Sequence, residues 1–330
     1  MNHQLTDLIP HQSPTSDLAV RLADYAHRAR GAFARNTERA VASDLRVFAT
    51  WCMDAGVESC PAEPADVARF LDEMAATRKV ATVRRYSSSI GHLHRAAGLP
   101  SPTTSSEVRL ALRRIGRAAA ERAQAEGRPV SDQAEGISVL DVAAIKATAG
   151  TTTRDLRDLA LMFVGRDALA RREELVALRV SAISWNSDGT ATVEIIRSKT
   201  DASGEGATQY LGPDASAALR RWLDASGITD GPVFQSLVKG GKPTGRALGA
   251  GEIPAILRRL AGRAGLAADR VRRVSGHSLR VGMAVDLVAA GASLLEIMQA
   301  GRWSSPTMPA RYTRRVEASR GAVARYYTRQ

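Results

Sequence analysis

Cysteine and aromatic side chains are scarce in this chain, and each shortage excludes something. Two cysteines among 330 residues, Cys52 and Cys60, make neither a disulfide framework nor a zinc ligand set, and so fit a reducing compartment. Aromatics at 5% argue against a single-strand binder built on stacking platforms. No apolar run approaches membrane-spanning length. The opening MNHQLTDLIPHQSPTSD lacks the basic-then-apolar pattern of a signal peptide. A soluble, cytoplasmic, nucleoid-associated protein with no membrane partner is expected. Also missing are a G-x-x-x-x-G-K-[ST] loop for ATP and a carboxylate cluster for Mg²⁺. His92 and His94, two apart, point away from each other on a helix, so no metal and no cofactor is expected. Acid is in short supply too: 34 Asp+Glu against 46 Lys+Arg leaves a net charge of +12. That excess suits a polyanionic partner, nucleic acid rather than a membrane surface.

What is present reads as two domains. Residues 1–15 are polar and proline-bearing, the composition of a disordered segment. Residues 16–125 read as helices only. In NTERAVASDLRVFATWC, Val41, Leu45, Phe48 and Cys52 recur with helical spacing, with Asn36 or Thr37 available as a cap. In PADVARFLDEM, Pro64 opens a helix whose inner stripe is Val67, Phe70, Leu71 and Met74. A third helix covers roughly 80–97. A fourth buries Val108, Leu112 and Ile115 and turns Arg109, Arg113, Arg114, Arg117 and Arg122 outward. The Gly/Pro/Ser/Asp-rich AEGRPVSDQAEG is a linker, and the boundary is placed over 126–137. The second domain, 138–330, opens with helices and then changes period. SAISWNSDGTATVEIIRSKT reads as a hairpin turning at Asn186–Gly189, with a third strand near ATQYLG. Helices dominate from Pro213 onward. The fold class is mainly α with a small antiparallel sheet in the C-terminal domain.

The chemistry-bearing residues cluster in that second domain. In SGHSLRVG, His277 and Arg280 are spaced i, i+3 and would share a helix face near exposed backbone N–H groups, a natural anion site. Arg171 and Glu174 lie one turn apart in DALARREELVALRV, whose Leu169, Leu175 and Leu178 face the core; an arginine held this way can grip phosphate oxygens bidentately. Lys199 stands at a strand end where a loop could reach a ligand. GRWSSPTMPARYTRR supplies Trp303 and Tyr312 on a proline-broken basic stretch, where Arg311, Arg314 and Arg315 are expected to favour the phenolate. Two arginines, a histidine, a lysine and a hydroxyl nucleophile are the parts for phosphoryl transfer without metal.

The order Arg…Lys…His-x-x-Arg…Trp…Tyr resembles the tyrosine recombinases, the phage integrase family. His277 precedes Tyr312 by 35 positions (312 − 277) and Trp303 precedes it by 9 (312 − 303), spacings typical of that group. SGHSLRVG, LLEIMQAGRW and, in the N-terminal half, WCMDAG, PAEPADV and LHRAAGLPSP carry the likeness, from about residue 35 to near the end. The resemblance implies a C-shaped two-domain clamp, with a helical core-binding domain and an α+β catalytic domain, on double-stranded DNA with inverted-repeat target sites. It implies a homotetramer that exchanges strands through a Holliday junction. Tyr312 would be the nucleophile, Arg171 and Arg280 would hold the non-bridging oxygens, Lys199 would protonate the leaving 5′-oxygen, and His277 would assist proton transfer. Trp303 stands where many members have a second histidine, and Glu174 matches the family's acidic, orienting position. Arg84, Arg85, Arg113 and Arg114 would meet groove or phosphate, and Arg246 a base. After Tyr312, Val316, Val323 and Tyr327 mark an amphipathic helix, interrupted by Gly321, that would dock on a neighbouring protomer or pack on its own domain; Tyr326 and Tyr327 read as packing residues. A type IB topoisomerase, a telomere resolvase or a DNA-binding relative with a vestigial site are the alternatives.

Overall fold

The computed structural model describes residues 16–127, 134–195, 206–320 and 326–327. The chain divides into two compact units, Met1–Asp132 and Gln133–Gln330.

The first unit is helical: α1 (Ser16–Arg28), α2 (Arg35–Ala55), α3 (Pro64–Thr77), α4 (Val80–Ala96) and α5 (Ser106–Ala125). The apolar stripes read from the sequence face inward. Leu45, Phe48 and Cys52 of α2 and Val67, Phe70 and Leu71 of α3 are buried, with Phe48 edge-on to Phe70 at 5.0 Å between ring centroids. Each large apolar side chain so removed from water contributes about 1.5–3 kcal/mol. Two expectations are corrected. Helix α2 starts one residue earlier than its supposed caps, with Ala34 at the cap position and no side-chain cap; Asn36 instead accepts a hydrogen bond from Arg39 at 2.7 Å. On α5, capped by Ser105, the third inward residue is Ala111, and Leu112 is only partly buried.

The second unit contains α6 (Val139–Ala147), α7 (Thr153–Asp167) and α8 (Arg172–Ala177), then β1 (Ile183–Trp185), β2 (Ala191–Ile195) and β3 (Ala207–Leu211). The three strands form an antiparallel sheet in the order β1-β2-β3. Its first turn closes where the sequence put it: the Asn186 N–H donates to the Thr190 carbonyl at 2.9 Å, and Gly189 takes a φ of 86° that a side chain would resist. After α9 (Pro213–Ser226) a second antiparallel pair appears, β4 (Gln235–Leu237) and β5 (Pro243–Ala247), which the sequence reading missed. Then follow α10 (Ile253–Arg263), α11 (Ala268–Arg273), α12 (Ser278–Ala289), α13 (Leu294–Gly301) and α14 (Thr307–Arg320).

Helix α7 is the unit's central post. From Arg157 to Arg166 every residue is buried, and it packs against α9 and α12. Trp222 of α9 is fully buried and donates its indole N–H to the Val233 carbonyl at 2.8 Å. Helix α12 is pinned to this post. The Ile137 N–H donates to the Ser278 carbonyl at 3.1 Å, Arg166 donates to the Ile137 carbonyl at 2.7 Å, and Arg166 also pairs with Asp286. The chain at Ile137 runs so close to α12 that a Cβ on Gly282 would collide with the Ile137 carbonyl. The second glycine of SGHSLRVG is therefore a packing requirement, and it fixes the helix that carries Arg280.

Candidate active site

Arg171 and Glu174 sit at the head of α8, which leaves the buried end of α7 by a tight turn. Leu169, in that turn, holds a φ of 42°, and Leu169, Leu175 and Leu178 are buried as expected. Glu174 reaches back so that its Oε2 accepts from the Arg171 backbone N–H at 2.9 Å and its Oε1 from Arg171 Nη1 at 2.7 Å. The pair is thus built into the fold rather than solvated on a helix face: the two side chains are 19% and 3% exposed. Burial pushes the Glu174 carboxyl up, but the Arg171 N–H and the guanidinium groups of Arg302 and Arg171 outweigh it and hold it below its usual range.

Arg280, on the first turn of α12, is 3% exposed. Its guanidinium donates to the Leu169 and Gly301 carbonyls and lies over the Trp303 ring, 4.1 Å from the centroid. Two of its five N–H donors are thereby spent on orientation and three are left for a ligand. Burial, followed by the charges of Arg171 and Arg302, brings its pKa down to about 9, which leaves it protonated at neutral pH. His277 stands one position ahead of the helix that carries Arg280, with helical dihedrals, and its carbonyl accepts from the Val281 N–H at 2.9 Å. Helix α12 begins at Ser278, and His277 is the residue that caps it, with its backbone N–H on Ser275 Oγ at 3.2 Å. The histidine still feels Arg280, Arg172 and Arg171. Partial desolvation and these three charges hold its imidazole below the ordinary histidine value, so it is neutral at pH 7.

Trp303 and Tyr312 complete the cluster. Their ring centroids are 6.1 Å apart. Gly301 permits the arrangement, since a Cβ there would run into the Trp303 ring. The stretch is interrupted as expected: α13 ends at Gly301, residues 302–306 with Pro306 are non-helical, and α14 starts at Thr307. Pro309 falls in the first turn of α14, where a missing N–H costs nothing, and Tyr312 lies on a continuous helix packed against α12 and α13. The expectation of a favoured phenolate is overturned: burial raises the Tyr312 pKa and outweighs Arg280, Arg311 and Arg171, which lower it. Tyr312 is therefore a phenol at neutral pH, and would need a base to act as a nucleophile.

Arg302 was missed. Nothing in the sequence separated it from the other basic residues except its place directly before Trp303. Its Nη2 donates to Glu174 Oε2 at 2.6 Å and its Nη1 to the Ala168 carbonyl at 3.1 Å. Lys199 lies outside the described residues. So does most of the expected C-terminal helix: α14 runs through to Arg320, and Tyr326 and Tyr327 are exposed rather than packed.

The expected DNA contacts are dispersed. Arg84, Arg85, Arg113 and Arg114 are exposed on α4 and α5, and Arg246 is exposed on β5. Arg85 spends its fork on Asp44, with Nε and Nη2 donating at 2.9 and 2.8 Å, and Arg114 pairs with Asp72. Among the described residues no three His, Cys, Asp or Glu side chains gather as a metal-ligand set, and no helix is long and apolar enough to cross a membrane. His94 is a core residue: its Nε2 accepts from the Ala62 N–H and its Nδ1 donates to the Ile90 carbonyl, both at 2.9 Å.

A half-buried tyrosine facing preorganised guanidinium groups, on an α+β unit joined to a helical one, defines a class: proteins that transfer phosphodiesters through a tyrosine. Comparison with known proteins agrees. The phage integrase family profile matches residues 138–318. The chain is 31% identical to the recombinase Cre of Escherichia phage P1, over 98% of its own length and 96% of that protein's. It is 30% identical to an integrase/recombinase XerD homolog of Selenomonas ruminantium, over 84% and 81%. Its fold is that of XerH site-specific recombinase bound to a palindromic difH substrate (TM-score 0.65, 14% identity, 98% and 93% covered). It also matches a lambda integrase tetramer bound to a Holliday junction (TM-score 0.58, 16% identity, 93% and 79% covered). The chain belongs to the phage integrase family, and is a tyrosine-type site-specific recombinase whose chemistry runs through a phosphotyrosine intermediate.

Proposed function

We propose that this recombinase cuts and rejoins duplex DNA at inverted-repeat sites, with Tyr312 as nucleophile. The proximity of Arg171, Arg280, Trp303 and Tyr312 to one another carries the reading. The phenolic oxygen attacks the scissile phosphorus, a tyrosyl O–P bond forms at the 3′ side, and the P–O5′ bond breaks. The phenolic proton passes to His277, which burial and neighbouring charge keep neutral and able to accept it. The leaving 5′-oxygen takes a proton from Lys199. Arg171 and Arg280 neutralise the charge that builds on the non-bridging oxygens, and the Trp303 indole N–H donates to the same phosphate without exchanging a proton. Glu174 orients Arg171. The bond energy of the broken strand is kept in the phosphotyrosine, so a second 5′-hydroxyl rejoins it without ATP.

In this reading residues 16–125 form the core DNA-binding domain and 138–330 the catalytic domain, joined over 126–137. Arg84, Arg113 and Arg246 meet DNA directly, and Arg85 and Arg114 do so by exchanging their carboxylates for phosphate. Four protomers assemble on two sites, with the segment bearing the exposed Tyr326 and Tyr327 docking on a neighbour, in the cytoplasm. The test begins with covalent capture of duplexes from a random library on the full-length protein. An adduct forms with the wild type and is lost in Tyr312→Phe while binding survives. An adduct that persists in Tyr312→Phe sinks the nucleophile assignment. Relaxation of any supercoiled plasmid without site preference points instead to a topoisomerase, and binding with no adduct to a vestigial site.

A further inference from the structure

Arg302 occupies a backbone position where an arginine is out of place. It ends α13 with φ 53° and ψ 48°, in the left-handed region. Its own N–H donates to the Gln299 carbonyl at 3.1 Å, and the Trp303 N–H donates to the Met298 carbonyl at 2.9 Å. These bonds make the helix-ending turn whose left-handed residue is most favourably glycine, because a Cβ is strained there. Instead of a glycine, the turn holds a long cationic side chain that is only 10% exposed. It points inward, to Glu174 and to the carbonyl of Ala168. Its Nε–H is buried with no hydrogen-bond partner among the described residues. Backbone strain and an unmade hydrogen bond both count against this residue for stability, so its reason for being there lies elsewhere.

The hydrogen bonds show where. Glu174 Oε2 accepts from both the Arg171 N–H and Arg302 Nη2, while Oε1 accepts from Arg171 Nη1. One carboxylate thus joins two loops far apart in sequence: the α7–α8 turn, which carries Arg171, and the α13–α14 turn, which carries Trp303 and leads to Tyr312. Arg280 spans the same two loops through the Leu169 and Gly301 carbonyls. We propose that Arg302 is a positioning residue that acts through Glu174, setting the phosphate-gripping Arg171 in register with the loop that bears Trp303 and the nucleophile's helix. This rests on the phosphodiester chemistry proposed above.

Arg302→Gly is the informative variant, because it removes the guanidinium while giving the turn the residue its backbone favours. On a duplex captured by the wild type, single-turnover adduct formation by Arg302→Gly is expected to slow about a hundredfold, the scale of a small misplacement of a catalytic group. Binding of the same duplex stays within about twofold, and the melting temperature changes little, because Arg171 still pairs with Glu174 while glycine relieves the left-handed turn. Arg302→Lys, with one ammonium in place of a fork, recovers only part of the rate. The decisive readout is coupling. If Arg302 acts through Glu174, then Arg302→Gly combined with Glu174→Gln is no slower than the slower single variant. Multiplying effects, or an Arg302→Gly protein that cleaves at the wild-type rate, would overturn the inference and leave the proposed function standing. Should Arg302→Gly fold poorly, the same two outcomes are read from Arg302→Lys. A wild type that forms no adduct on any captured duplex overturns both readings.

Discussion

Removing the Glu174 charge is the perturbation that the site's electrostatics resolve most sharply. In Glu174→Gln the side chain keeps its size, but the carboxylate that three N–H groups converge on becomes a neutral amide. Arg171 and Arg302, both mostly buried, then lose the carboxylate that pairs with each of them beside Arg280. Breaking a buried pair by neutralising one partner costs about 3–5 kcal/mol, since the surviving charge is left uncompensated. The glutamine oxygen still accepts one or two of the bonds, so a loss near the low end, about 3 kcal/mol, is expected at pH 7. The cost depends on pH with a definite sign. The folded-state pKa of Glu174 lies below the ordinary glutamate value, so its contribution is fully present above about pH 4.5 and disappears as pH falls through the lower folded value. Urea unfolding of the full chain in a Trp51→Phe background, followed by the fluorescence of the three tryptophans of the second unit, Trp185, Trp222 and Trp303, measures this at pH 7 and at steps below pH 5. A deficit under about 1 kcal/mol at pH 7, or one that stays constant into acid, would refute the account.

Three further outcomes are expected. The second-order rate of adduct formation should fall in acid with a midpoint below 6.5, because His277 must be neutral to take the Tyr312 proton and its pKa is depressed; His277→Ala should be slower by about a hundredfold and lose that acid limb. A limb centred above pH 7, or one that survives in His277→Ala, removes His277 from that role. Gly282→Ala should destabilise the second unit by about 2 kcal/mol or more despite alanine's better helix propensity, because its Cβ meets the Ile137 backbone; a melting temperature equal to wild type contradicts that packing. Arg85→Ala should cost about 1–3 kcal/mol, since Asp44, 1% exposed at its side chain, then keeps only Ser89 among the described residues; unchanged stability would mean that Asp44 is satisfied elsewhere.

The sequence made the helices legible wherever a helical apolar stripe faced a single core, as in α2 and α3. It also showed the first hairpin, whose Asn186–Gly189 turn advertises itself. The β4–β5 pair was not legible, because its strands are short and lie in FQSLVKGGKPTGRA, which alternates poorly and is rich in Gly and Lys. What holds that pair is tertiary: Gln235 Oε1 accepts from the Gly245 N–H at 2.7 Å, and Arg157 from α7 donates to the Gln235 carbonyl at 3.1 Å. At the site, spacing to Tyr312 singled out His277, Arg280 and Trp303, yet the local environment of each needed coordinates. Neighbouring arginines in sequence suggested a phenolate at Tyr312, but charge along the chain says nothing of burial, and burial decides the direction. Arg302 was hidden for the same reason: only a left-handed turn aims it inward, and nothing in the sequence announces a left-handed arginine.

The arrangement of charge suggests why this pocket favours a phosphate that is gaining charge over one that is not. Arg280 is locked by two carbonyls and an aromatic face, and Arg171 and Arg302 are locked by one carboxylate, before any DNA arrives. Among the described residues Glu174 is the carboxylate paired with these guanidinium groups, and burial, followed by the neighbouring positive charges, depresses the pKa values of Arg280 and His277. An arriving phosphodiester relieves the repulsion among those charges, and the transition state, with more negative charge on the same oxygens, relieves it further. Little reorganisation is needed at the moment of reaction, which is the condition under which fixed donors accelerate a step rather than merely bind its substrate. The same field sets a limit on proton traffic. Burial and the surrounding cations hold His277 neutral in the free protein and, in the proposed step, would disfavour an imidazolium formed by taking the Tyr312 proton, so that state would depend on the phosphate being in place. Proton transfer and phosphate binding are thereby coupled, and an empty pocket has little tendency to generate a phenolate.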